Sequence, residues 1–298
     1  RHEAMNGRVS DSSFYDHNLR SLIRERAKLA KAQLQASSGK RVLAPSDDPL
    51  AAALAMRERS KASQAVDRER AAEAGLHSTQ AADAALADVA ELLRRAQELA
   101  IQGATDTLGA PERAGIAREI EELREAALGL ANTEIGGSHV FGGARDGSPP
   151  FDASGAYLGD ANVRSVQVAP GILVEVSVAG DAAFGSGGTS DVLGALEQLR
   201  LALDADDVPT IRASIDSLNL AHSTISTARA ELGSSMRSFE SSISLTKRLE
   251  VEAIDRESKL VGVDPLEAFM DFTKAQTALE AAVRIASELP PVGLVGGR

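Results

Sequence analysis

Apolar residues recur at spacings of three and four along most of the chain, the period of amphipathic helices. Over residues 14–37, Leu19, Leu22 and Leu29 share a side, with Ile23 beside them and Arg26 intruding. The polar stretch Ser37-Ser38-Gly39-Lys40-Arg41 ends that helix, and Pro45 forces an extended segment. Asp48 then stands as an N-cap, with Pro49 in the first helical position, where its missing N–H costs nothing. From Pro49 to about Asp106 there is no further Pro and only Gly75 and Gly103. The pattern predicts one helix there, roughly 85 Å long at 1.5 Å per residue. So long a helix points to coiled-coil or filament architecture. Leu86, Val89, Leu93, Ala96 and Ala100 step 3-4-3-4 along it.

Thr107-Leu108-Gly109-Ala110 breaks the chain and Pro111 restarts it. Ile116, Ile120, Leu123, Ala127 and Leu130 predict a helix folded back on its predecessor as an antiparallel hairpin. The pattern changes at Gly136. Residues 136–190 are Gly-rich, and the runs 163–168 and 172–178, joined by Ala169-Pro170-Gly171, predict a β-hairpin. Helix returns near Asp191, with Val192, Leu196, Leu199 and Leu203 on one face. Pro209 begins a second very long helix reaching about Leu260. Its stripe is Ile211, Ile215, Leu218, His222, Ile225, Arg229, Leu232, Met236, Phe239 and Ile243. His222 and Arg229 interrupt that stripe, which places them at the edge of a seam that drifts, because heptads and a straight helix fall out of phase. Gly262-Val263-Asp264-Pro265 stops and restarts the chain. A last helix from Pro265 to about Leu289 carries Leu266, Phe269, Phe272, Ala275, Leu279, Ala282 and Ile285, and the tail 290–298 reads as disordered.

The expected fold is mainly α with a small β insertion: a long antiparallel coiled-coil helical rod plus a small β-rich domain. Five segments follow: a terminal assembly region 1–45, rod halves 46–135 and 191–261, the β-rich lobe 136–190, and a C-terminal assembly helix and tail 262–298. Leu86, Leu93, Ile120, Leu123, Ile211, Ile215, Leu218, Leu232 and Phe239 are the expected rod core. Leu19, Leu22, Leu29, Leu266, Phe269, Phe272, Leu279 and Ile285 are the expected assembly interface.

Composition narrows the function. About 50 of the 298 residues are Ala, nine are aromatic and none is Cys or Trp. That suits long helices packed closely, and it removes disulfides, thiol catalysis and Cys-ligated metals. The net charge of -11, with no basic block, argues against nucleic acid as a partner. No run of 18 apolar residues predicts a membrane span. The first 13 residues lack the apolar core of a signal peptide, so export would need another route.

Candidate chemistry is sparse. No two of His2, His17, His77, His139 and His222 lie within four residues, so no helical His pair can chelate a metal. Asp47-Asp48 reads as capping, and Asp204, Asp206 and Asp207 as a helix end and restart. Gly185-Ser186-Gly187-Gly188 is followed by no Gly-Lys-Ser/Thr and is no phosphate cradle. No cofactor is expected, and nothing in the sequence asks for an enzyme.

Several stretches resemble one family as a set. Ser37-Ser38-Gly39-Lys40-Arg41-Val42 followed by Pro45-Ser46-Asp47-Asp48-Pro49 resembles the N-terminal signature of the flagellin superfamily. The Pro-Ser-Asp-Asp-Pro form is similar to its hook–filament junction branch rather than to filament flagellins. Residues 92–102, Asn132-Thr133, Val140-Phe141-Gly142-Gly143 and Gly180-Asp181-Ala182-Ala183-Phe184 fit the same pattern. Ala228-Arg229-Ala230-Glu231-Leu232-Gly233 resembles the C-terminal hallmark, in which Arg229 and Gly233 stand out. The tail 290–298 departs from the apolar, Leu-rich ending usual in the family. The resemblance implies an exported structural subunit that forms a homo-oligomeric ring between a neighbouring hook-associated protein and flagellin. It also implies terminal helices that order on assembly and an export chaperone holding the C-terminal helix. A filament flagellin is the alternative, and a secreted enzyme on a coiled-coil scaffold a more distant one.

Overall fold

The computed structural model describes residues 3–169, 171–185 and 191–288. The tail 290–298, Pro170 of the hairpin turn and Ser186 to Gly188 lie outside the described residues. The fold is mainly α with a small β insertion. Its elements are α1 (Glu3–Ser38), α2 (Pro49–Gly103), α3 (Ala110–Ala131), β1 (Glu134–Ile135), β2 (Ser138–His139), β3 (Ser165–Ala169), β4 (Ile172–Glu175), α4 (Gly180–Phe184), α5 (Val192–Asp204), α6 (Val208–Val261) and α7 (Pro265–Glu288). The helix expected from residue 14 begins at Glu3. The two long helices run 55 and 54 residues. The described residues fall into two units, residues 64–249 and the two chain ends up to 63 and from 250.

Within residues 64–249 one core joins α2, α3, α5 and α6 with the edge of the β insertion. Arg95 on α2 reaches Glu119 on α3 at 2.6 Å, and Gly103 meets Arg113, so these two helices form an antiparallel hairpin. Arg229 on α6 meets Asp83 on α2 at 2.9 Å, and Lys247 meets Glu69 at 3.2 Å, which makes that pair antiparallel too. The buried seam of α6 here runs Leu218, Ala221, Ile225, Ala228 and Leu232. It passes one position before His222 and Arg229, which are half-buried at its edge, where a drifting seam places them. Small Ala side chains keep the helices close, and Arg229 spans the gap to Asp83 from outside the seam. Leu123 and Ile215 are also half-buried, while Leu86, Leu93, Ile120, Ile211, Leu218, Leu232 and Phe239 are buried.

The insertion is held by rings. Phe141 and Phe184 meet edge to face at 5.3 Å, and Phe151 lies 5.2 Å from both Phe184 and Tyr157. Four of the nine aromatics of the chain are spent in this one cluster. β1 and β2 pair antiparallel, as do β3 and β4, with Val166 opposite Val174. The β3–β4 hairpin lies on the long helices through Val168, Val174 and Val176, which pack with Ala72 and Phe239. Phe239 approaches α2 at Gly75, where a Cβ would stand 2.7 Å from the ring. Thr79 Oγ1 donates to the Val176 carbonyl at 2.9 Å and fixes the same contact.

One buried charge escaped the sequence reading. Arg113, 5% exposed, donates from Nε to the Gly103 carbonyl and from Nη2 to the Thr105 carbonyl, both at 2.8 Å, and pairs with Asp206. It satisfies carbonyls that the end of α2 leaves open. The available signal was a cation in the first turns of α3, where the helix dipole favours acids.

Candidate assembly site

In the unit of the chain ends, the signature residues build a joint. Gly39 sits at φ +66°, the left-handed position that closes a helix, and its N–H bonds the Gln35 carbonyl at 2.9 Å. Ser38 Oγ donates to the Leu34 carbonyl at 2.6 Å. The chain then runs as a bridge against the end of α6. Arg41 N–H donates to the Val261 carbonyl at 2.7 Å, and Val263 N–H to the Gly39 carbonyl at 3.0 Å. Arg41 Nη2 reaches both Asp48 Oδ2 at 3.1 Å and the Leu260 carbonyl at 3.2 Å. A small apolar cluster of Val42, Ala51, Ala55 and Val261 seals the joint.

The two signature carboxylates have separate tasks. Asp47 Oδ2 accepts the N–H groups of Leu43 and Ala44, both at 3.1 Å, and Oδ1 accepts Lys31 Nζ at 2.7 Å. This closes the turn through Pro45 and Ser46, both exposed, and ties it to α1. Asp48 Oδ1 caps α2 by accepting the Ala51 N–H at 3.0 Å, with Pro49 in the first turn. Lys31, followed by the Ala44 and Leu43 amides, holds the Asp47 carboxyl below the ordinary value of 3.8. The Ala51 amide and then Arg41 do the same for Asp48.

From this joint α1 and α7 leave side by side and antiparallel. Their facing positions are Leu22, Leu29 and Ala32 on α1 and Ala268, Phe272, Ala275, Leu279 and Ala282 on α7. Only Ala32 and Ala268 among these are buried; the rest are half-buried. The inward stripe of α7 thus passes through Ala268, not Leu266 and Phe269, and Ile285 also lies off it. The eight residues expected at the assembly interface divide accordingly. Leu22, Leu29, Phe272 and Leu279 face the partner helix, and Leu19, Leu266, Phe269 and Ile285 point to solvent. Ile23 and Leu34 are exposed on α1, as are Met270 and Val283 on α7. A helix apolar on more than one face is suited to burial on more than one side. Gly233, the last signature residue, lies within α6 of the other unit, 3.8 Å from Arg237 Nη1 as measured from a built Cβ.

His77 and His139 line one cleft beside the β insertion, where Arg164 pairs with Asp146 at 2.9 Å. No group of three His, Asp or Glu side chains fit for a metal converges among the described residues. No helix of the described residues is long and apolar enough to cross a membrane.

A helical chain whose two ends are returned to one joint, with apolar faces left open beyond it, defines a class of assembling helical subunit. The profile of the bacterial flagellin N-terminal helical region matches residues 9–146, and that of the bacterial flagellin C-terminal helical region matches residues 215–292. The chain belongs to the flagellin superfamily. It is 29% identical over 311 residues to the flagellar hook-associated protein 3 of Escherichia coli (strain K12), covering 96% of this chain and 98% of that protein. It is 25% identical over 258 residues to a flagellin of Halalkalibacterium halodurans, covering 85% and 84%. Its fold is similar to the crystal structure of flagellar hook-associated protein-3 from Legionella pneumophila, with a TM-score of 0.62 at 14% identity, over 69% of this chain and 98% of that one.

Proposed function

We propose that this chain is a structural subunit of the bacterial flagellum that joins hook to filament and stands outside the cell. The observation that carries this reading is the joint at residues 38–49 and 260–263. It holds α1 and α7 together while leaving Leu19, Leu266, Phe269 and Ile285 in water. A side chain of that size gains roughly 1.5–3 kcal/mol on full burial, which a neighbouring subunit would supply. The relation to hook-associated protein 3 runs the length of both chains and exceeds the match to flagellin in identity and span, which favours the junction over the filament. In this reading, residues 1–45 and 262–298 are the assembly segments and copies pack as a ring. A hook-associated protein and flagellin lie on its two sides, and an export chaperone covers α7 before assembly.

Deletion of the gene tests it. The expected result is hooks without filaments, with flagellin released to the medium, restored by the intact gene. Filaments that persist after deletion, or this chain found along the whole filament, would reverse the assignment in favour of a filament flagellin.

A further inference from the structure

The joint carries an opening of its own. A shallow cavity of about 230 Å³ lies between the loop after Lys40, the first turns of α2 and the end of α6. Val42, Ala55 and Val261, all buried, make an apolar floor, and Met56, 66% exposed, stands at the lip. At the rim Arg59 is matched by Glu257 at 2.5 Å, whereas Lys40 has no ion-pair partner among the described residues. The same unit presents a projection that nothing among the described residues covers. α7 opens with Leu266, Phe269 and Met270, which are 67%, 61% and 45% exposed. Glu267 sits among them, also without an ion-pair partner among the described residues. Asp264 Oδ1 accepts the Leu266 N–H at 2.7 Å, so this turn is presented as preformed helix.

We propose that the first turns of α7 in one copy seat in this cavity on the next copy, with Phe269 toward the Val42–Ala55–Val261 floor and Glu267 opposite Lys40. The inference rests on the chain being a subunit of a ring. Passed head to tail, with the projection of each copy seated in the cavity of the next rather than exchanged within a pair, the contact is heterologous. Repetition of such a contact closes a ring or continues a helix, whereas a self-complementary patch stops at a pair. The unmatched acid beside the projection and the unmatched base at the rim fix which way round the helix enters.

The absence of Cys from the chain lets introduced cysteines report alone. Chains carrying Met56→Cys and chains carrying Phe269→Cys are expressed together in cells, and their flagella are isolated. The expected result is a disulfide-linked pair from the mixed chains, and a ladder of multimers when one chain carries both. Linkage only within the doubly substituted chain, and none between mixed chains, overturns the proposal, because the copy's own α7 then fills the cavity. Variants that enter the flagellum without any linkage overturn it too, yet leave the junction assignment standing. A chain that never enters the flagellum, even unsubstituted, overturns both. Charge reversal gives a measure independent of cysteines. Lys40→Glu and Glu267→Lys are each expected to lower incorporation about tenfold. Together in one chain they should restore it, and two losses that simply add overturn the pairing.

Discussion

In residues 64–249, four phenylalanines and a run of leucines and isoleucines are buried, whereas in the unit of the chain ends no described side chain larger than valine is buried. The buried positions of that second unit are Ala32, Val42, Ala51, Ala55, Ala253, Val261 and Ala268. Both regions use the same 3-4 spacing, so period alone does not separate them. The difference lies in which residues occupy the inward positions. Where Leu, Ile and Phe point inward, the region carries its own stability. Where Ala takes the buried positions and Leu22, Leu29, Phe272 and Leu279 face inward only half-buried, the helices touch closely but bury little.

The strongest test of this contrast is a cavity in the first region. Phe141→Ala should lower the unfolding free energy by about 3–5 kcal/mol in chemical denaturation, since the ring is fully buried against Phe184. An effect under 1 kcal/mol would show that the ring cluster carries no stability. Arg113→Met should cost about 3 kcal/mol, because it leaves the Gly103 and Thr105 carbonyls without their buried donor; exposed Asp206 loses only its ion pair. Gly75→Ala should cost about 1–3 kcal/mol, as the added carbon meets the Phe239 ring at 2.7 Å. Gly129→Ala, with nothing within 4 Å, should instead gain up to about 1 kcal/mol from helix propensity. If both glycines behaved alike, the ring contact would not be the cause.

At the joint the expected effect is smaller and depends on pH. The Asp47 and Asp48 carboxyls are held below 3.8 in the folded chain. Groups with depressed values stabilise the fold above their ordinary value, and that contribution is lost as pH falls through the folded value. The protection of the Leu43, Ala44 and Ala51 amides against hydrogen exchange, taken relative to the intrinsic rate at each pH, should therefore fall on acidification below about 3.8. Asp47→Asn should remove the pH dependence at Leu43 and Ala44 but leave that at Ala51. The smallest expected effect is Leu266→Ala or Ile285→Ala on the isolated chain, within about 0.5 kcal/mol, since both side chains already lie in water. The same substitutions should impair motility if those faces are buried on assembly. A change in stability without one in motility would reverse the proposed roles of the two regions.

Much of the helical frame was legible in the sequence. Pro49, Pro209 and Pro265 and the Asp48 and Asp264 caps act within one turn, so local chemistry is enough to place them. The β3–β4 hairpin was legible for the same reason. The phase of a stripe was harder to read when large residues stood beside it. Ala221 and Ala228 take the buried seam from His222 and Arg229, and Ala268 takes it from Phe269, because close helices select small residues that a search for large ones passes over. The signature 38–49 was recognisable by resemblance, but its physical task was not. Arg41 meets the Leu260 carbonyl across 219 residues of chain, and no local pattern announces such a partner. Arg113 was missed for the same reason, as its ligands come from two separate loops.

The bridge between Lys40 and Gly262 has a topological consequence. It closes the intervening chain into a loop whose two ends are fixed independently of its contents. The entropy of closing such a loop grows only with the logarithm of its length, so doubling it costs about 0.6 kcal/mol. The insertion between α3 and α5 lies inside that loop. It can lengthen, shrink or be exchanged for another lobe with little penalty at the point where α1 and α7 set out.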